Sequence, residues 1–148
     1  MAVSALIQER QGHFEEAARL YERILAVYPL FSPATRNLAI LYAQRLGDDG
    51  KAYAPAVRAR EVYPQDPQVA KVLGILEYRK SNYRRSAQLL RESSQKIKDD
   101  AELFYYLGMA QYQLKAAPES KAALERSLAL NIQPKLADDA KRILLELK

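Results

Sequence analysis

The chain has 148 residues, 49% of them hydrophobic and 28% charged, which is enough apolar material for a buried core and argues against disorder. A net charge of +5 would draw acidic or phosphate-bearing partners without choosing among them. The absence of Cys removes disulfides and thiolate metal sites, and the single His falls in an expected exposed turn, where it supports neither a Ser/His/Asp relay nor a His-rich metal cluster.

From the N-terminus, residues 1 to 10 lack the apolar run of a signal peptide, and no segment approaches the roughly 18 apolar residues of a membrane span. A soluble chain without membrane insertion is expected. These residues read as the later part of a helix, as though a hairpin had been cut from a longer array. Gly12 and His13 form a turn, and the next helix places Ala17, Tyr21 and Ile24 on one face until Pro29 stops it. Ser32 before Pro33 is a capping candidate for a third helix, which carries Leu38-Ala39-Ile40-Leu41-Tyr42. The loop Leu46-Gly47-Asp48-Asp49-Gly50 follows. The fourth helix carries Ala52, Ala56 and Ala59, and Pro55 within it predicts a late start or a kink. Pro64 ends it, and Asp66-Pro67 opens the fifth.

Here a period becomes plain. Val69 to Tyr78 reappears as Leu103 to Tyr112, so that Leu73-Gly74 becomes Leu107-Gly108, a shift of 34. Tyr28-Pro29 recurs as Tyr63-Pro64 at a shift of 35, and the extra residue is expected in the loop around Gly47. Ala17, Ala52, Ser86 and Ser120 recur at 35, 34 and 34, small residues that would let paired helices approach. Asp99-Asp100 precede the helix that carries the last Leu-Gly pair. From Pro134 onward, Leu136, Ala140, Ile143, Leu144 and Leu147 form one helical stripe with the charges mostly off it.

This set of residues resembles the tetratricopeptide family, whose 34-residue pattern runs from an aromatic through Leu-Gly and Tyr to Ala, an aromatic and a closing Pro. The likeness covers nearly the whole chain, as a single domain 1–148 with repeats at about 1–31, 32–66, 67–100 and 101–133 and a capping helix at 134–148. It implies an all-α fold, a right-handed α-solenoid of antiparallel helix hairpins. Glu77 and Gln111 depart from the pattern by standing where Tyr42 meets it.

The resemblance further implies a concave groove lined by the first helix of each hairpin, with a protein or peptide partner held there. Counted from the central Gly or Ala, its residues are Arg36, Ile40, Lys71, Ile75, Tyr78, Arg79, Tyr105, Met109 and Tyr112. The expected floor is apolar, with tyrosines toward repeats three and four and cations at Arg36, Lys71 and Arg79, so that a segment with apolar anchors and acidic flanks would suit it. The Lys/Asn carboxylate clamp by which some members hold acidic chaperone tails is not matched, since only Asn37 is present and Leu6 and Val72 occupy clamp places. The last repeat and charged terminal helix loosely resemble bacterial repeat scaffolds of the cytoplasmic or periplasmic side of a cell envelope.

No catalytic, cofactor or metal site is expected. The paired carboxylates at 15–16, 48–49, 99–100 and 138–139 sit mainly at helix starts, where capping explains them. An interaction scaffold is therefore the leading reading. A structural spacer or self-associating array is the alternative, and binding of nucleic acid or another anion through Arg79, Lys80, Arg84 and Arg85 is the weakest.

Overall fold

The computed structural model describes residues 2–148, and among them nine α-helices and no strand occur. In chain order these are α1 (Ala2–Arg10), α2 (Phe14–Val27), α3 (Ser32–Gln44), α4 (Asp49–Val62), α5 (Pro67–Arg79), α6 (Tyr83–Ser94), α7 (Ala101–Gln113), α8 (Ala117–Ala129) and α9 (Pro134–Glu146). The chain divides into two compact units, Met1–Leu73 and Gly74–Lys148, with the boundary inside α5.

One turn design is used in every hairpin. Gly12, Gly47, Ser81 and Lys115 all have φ between 62° and 81°, the left-handed conformation that reverses the chain after a helix. In the hairpins α1–α2, α5–α6 and α7–α8 the next residue's N–H bonds a carbonyl five residues back: His13 to Gln8, Asn82 to Glu77 and Ala116 to Gln111, at 2.8–2.9 Å. In α3–α4 the equivalent bond runs from Asp48 to Tyr42, six residues back, and Leu46 N–H reaches Leu41 at 3.1 Å. The extra residue is thus absorbed by a widened last turn of α3, just before Gly47.

In the first unit, α1, α2, α3 and α4 pack successively against one another. Small residues make the seam: Ala5, Ala17 and Ala52 are fully covered and Ala39 nearly so, with Tyr21, Leu38 and Leu41 filling the space around them. The starts and stops follow local chemistry. Asp48 accepts from Lys51 N–H at 3.0 Å to cap α4, while Asp66 Oδ1 accepts from Gln68 and Val69 N–H at 2.9 and 3.2 Å to cap α5. Ser32 does not cap α3; its hydroxyl donates to Leu30 C=O at 3.4 Å, and Phe31 occupies the cap position. Pro55 delays nothing, because α4 already begins at Asp49 and carries the ring in its interior. Tyr28 and Tyr63, just before Pro29 and Pro64, close α2 and α4 with identical 2.7 Å bonds to the carbonyls of Ile24 and Ala59.

In the second unit the seam contains two superimposable contacts. Ser86 Oγ donates to Gly74 C=O at 2.7 Å, and Ser120 Oγ to Gly108 C=O at 2.8 Å. A methyl group on either glycine would lie 2.7 Å from the side chain of Leu90 or Leu124. Leu-Gly therefore recurs because the second helix's Leu occupies the volume a Cβ would need. Around this seam Ile75, Leu90, Leu103 and Leu107 form one core, and Tyr105, Met109, Leu124, Ile132, Ala140 and Ile143 another. The second core is completed by α9, which packs on both α7 and α8 with its Ala140–Ile143 stripe inward.

Candidate functional site

The first helices carry the nine residues expected to line a groove, and the structure sorts them by what they touch. In the first unit Ile40 on α3 is half-buried. Arg36, one turn earlier, donates from Nε to Asp66 Oδ2 at 2.6 Å and from Nη1 to Asn37 Oδ1 at 3.1 Å. Partial burial would raise the Asp66 carboxyl, but the Arg36 guanidinium and two backbone N–H groups outweigh it and hold the acid below its ordinary value. Arg36 is thus spent on tying the α5 cap to α3. Lys71 exposes only 7% of its surface.

In the second unit Ile75, Tyr105 and Met109 belong to the two cores and are almost wholly covered. Tyr78 and Tyr112 are half-buried and Arg79 is exposed. Tyr78 packs its ring against Tyr83 at 5.5 Å and edge-on against Tyr106 at 5.4 Å, and Tyr106 in turn stands edge-on to Tyr105 at 5.0 Å. Arg79 lies over the Tyr106 ring at 5.6 Å and donates to its hydroxyl at 3.2 Å. The rings of Tyr78, Tyr83, Tyr105 and Tyr106 form one continuous cluster, and Tyr112, half-buried like Tyr78, packs against the second core; Tyr78 and Tyr112 are the tyrosines of the candidate face.

Two carboxylates of α9 complete this face. Tyr105 OH donates to Asp139 at 3.4 Å and Tyr112 OH donates to Glu146 in a short bond. Burial raises the Tyr105 hydroxyl well above its ordinary value, with the Asp139 charge adding to it. For Tyr112 the Glu146 hydrogen bond is the leading cause of an upward shift. Arg142 lies 3.4 Å from Asp139 and 3.9 Å from Glu146, so the side of the face nearest α9 holds two acids and one base, while the cations expected across the groove are paired, covered or stacked.

Residues 4–70 match the family model described as tetratricopeptide repeat, and Gly74 with Ser86 and Gly108 with Ser120 continue the same seam at the same period. Residues 4–70 belong to the tetratricopeptide repeat family. Among solved structures, this repeat protein is similar to a crystal structure of MamA, at 15% identity over 97% of this chain and 91% of that one, with a TM-score of 0.69. It is also similar to the MamA MSR-1 structure, at 20% identity over 86% and 73% of the two chains and a TM-score of 0.71. At these identities the likeness is one of fold, the all-α helical-hairpin solenoid class. No curated protein matches it in sequence.

The tetratricopeptide fold is in general a scaffold for protein–protein interaction. Among the described residues no helix is long and apolar enough to cross a membrane, and no group of three or more His, Cys, Asp or Glu is placed to hold a metal ion. His13 sits in the α1–α2 turn with Nδ1 2.8 Å from Gln8 Oε1.

Sequence reasoning missed Tyr83, Tyr106, Asp139 and Glu146. The aromatic pair Tyr105-Tyr106 was the available signal, since adjacent helical residues point about 100° apart and only one of them can face the core. The two α9 carboxylates lie off the apolar stripe of that helix, but each stands one 34-residue period after its tyrosine, and that spacing was the available signal.

Proposed function

We propose that this chain holds a segment of a partner protein against the tyrosine face of its second unit, with Tyr78, Arg79 and Tyr112 as the contact residues. The observation that carries this reading is the chemistry of that face. Two half-buried tyrosines and an arginine are backed by a packed aromatic cluster, so their rings are held in place before any partner arrives. Tyr and Arg offer large contact area with a polar handle, and pre-organised side chains lose little rotamer freedom on binding. Asp139 and Glu146 border the face and the one arginine beside them, Arg142, balances only one of their two charges, so the segment suited to it has an apolar anchor and a Lys or Arg flank.

A peptide array in which apolar hexamers carry either basic or acidic flanks tests this directly. The expected result is preference for basic flanks, and a loss of about tenfold or more in affinity when Tyr78→Ala and Tyr112→Ala are combined. Binding that is indifferent to both substitutions would remove the face assignment and leave the fold untouched.

A specific observation also favours the second reading, a repeat that abuts other repeats or copies. Val3, Leu6 and Ile7 on α1 are 69%, 40% and 47% exposed, an apolar edge with no cover. Under that reading Val3→Asp with Ile7→Asp abolishes any concentration-dependent rise in light scattering; a monodisperse monomer at all concentrations speaks against it.

A further inference from the structure

The α5–α6 turn carries a second feature, whose lining includes neither Tyr112 nor the α9 carboxylates. An open cleft of about 610 Å³ lies there, walled by Glu77 at the end of α5, Asn82 in the turn, and Arg84, Arg85 and Gln88 on the first turns of α6, with Tyr83 and Leu114 as its apolar sides. Its size is within the roughly 300–1,000 Å³ range of specific ligand sites.

One end of this cleft calls for an anion. Asn82 makes no side-chain cap, and the first turn of α6 holds no acidic residue. The first turn's N–H groups and the positive end of the helix dipole are left without a carboxylate. Asp48 and Asp100 cap α4 and α7, and α2 and α8 carry Glu15, Glu16 and Glu119 in their first turns, whereas α3 and α9 share with α6 the lack of both a side-chain cap and a first-turn acid. Arg85 Nη1 reaches only the neutral Gln88 Oε1, at 3.3 Å, and Arg84 has no ion-pair partner among the described residues.

The wall beside it calls for a donor. Glu77 exposes 7% of its surface, and its Oε1 has no hydrogen-bond partner. A buried oxygen left in this state costs about 1–3 kcal/mol, and more for a charged group. Gln111 occupies the same repeat position and also leaves Oε1 unpartnered, yet it is neutral. Only at Glu77 does the orphaned oxygen belong to a carboxylate beside a basic helix start.

We infer that this cleft binds a partner-protein segment in which a Lys or Arg stands next to an acidic residue. The basic side chain donates to Glu77, its aliphatic stem lies against Tyr83 and Leu114, and the neighbouring carboxylate accepts from Arg84, Arg85 and the α6 amides. A purely anionic ligand would meet Glu77 as a like charge. A purely cationic one would meet the two arginines.

The test is titration of the full, isotope-labelled chain with three capped tetrapeptides: acetyl-Ala-Lys-Asp-Ala-amide, its norleucine counterpart in place of Lys, and its Asn counterpart in place of Asp. The Lys-Asp peptide is expected to shift the backbone amides of residues 82–88, with either neutralised peptide binding about tenfold more weakly. Arg84→Gln should remove the advantage of Asp over Asn, and Glu77→Gln, which copies the residue at position 111, the advantage of Lys over norleucine. Tyr112→Ala should leave all three affinities unchanged, which separates this cleft from the tyrosine face. The inference is overturned if the three peptides bind alike, or if none shifts these amides at millimolar concentration. It is equally overturned if inorganic phosphate shifts them as strongly as the Lys-Asp peptide does.

Discussion

Gly108 and Leu124 show how much of this fold is decided between single atoms. A Cβ at Gly108 would stand 2.7 Å from Leu124 Cγ and Cδ2 and 3.1 Å from the Leu124 backbone nitrogen. The branch carbon and the backbone cannot swing aside as a flexible chain end could. Gly108→Ala is therefore expected to destabilise the protein even though Ala favours helix by about 1 kcal/mol, because overpacking costs about 1–3 kcal/mol. A thermal melt followed by circular dichroism should show a lower Tm; an unchanged or higher Tm would mean the seam has slack. At this scale the sequence is informative about the core and poor about the site. Leu-Gly and the paired serines were legible because tight packing repeats with the chain. Lys71, Ile75, Tyr105 and Met109 stand at groove positions in the repeat, yet each is covered in the structure. Whether a floor residue is open depends on how closely its neighbours pack, which no spacing encodes.

At the scale of the helix, α4 is the exception that the repeat tolerates. Its Pro55 lacks an N–H and removes one bond from the middle of a 14-residue helix that nonetheless starts on time at Asp49. The Asp48 cap and the buried Ala52, Ala56 and Ala59 face hold the helix in register across the defect. Replacing the ring should recover most of its cost. Pro55→Ala is expected to raise stability by about 2 kcal/mol, the roughly 3 kcal/mol helix penalty less the up to about 1 kcal/mol of entropy that Pro withholds from the unfolded chain. A denaturant midpoint that fails to rise would show that the α4 backbone is already relaxed around Pro55. The element boundaries were largely readable, since Pro29, Pro64, Asp66 and Asp100 act locally. Ser32 was misread as a cap because its hydroxyl turns back to Leu30, a choice made by the loop's path.

Over the whole molecule the ten tyrosines give the chain a distinctive response to base. Burial first, then the Glu9 charge, pushes the Tyr21 hydroxyl up to about 12, and burial likewise raises Tyr78 and Tyr105. These groups hold their protons more tightly folded than unfolded, where they titrate near 10. Their stabilising contribution is complete below about pH 10 and is lost as pH rises through the folded values. Tm should fall as pH is taken from about 10 to 12, and Tyr21→Phe should flatten that fall; an equally steep curve in the variant would assign base sensitivity elsewhere.

What the sequence determined by itself was the family, the helix inventory and the seam, because a repeat writes the same packing rule several times and each copy checks the others. It also marked where that rule breaks, at the loop before Gly47 and at Pro55. Only the tertiary structure decided which candidate residues are open. It showed that Arg36 is consumed by Asp66, that four of the nine expected groove residues are covered, and that α9 brings Asp139 and Glu146 to tyrosines distant in the chain. The physical reason is that packing within a repeat is local and periodic, whereas charge pairing depends on which side chains from different elements meet.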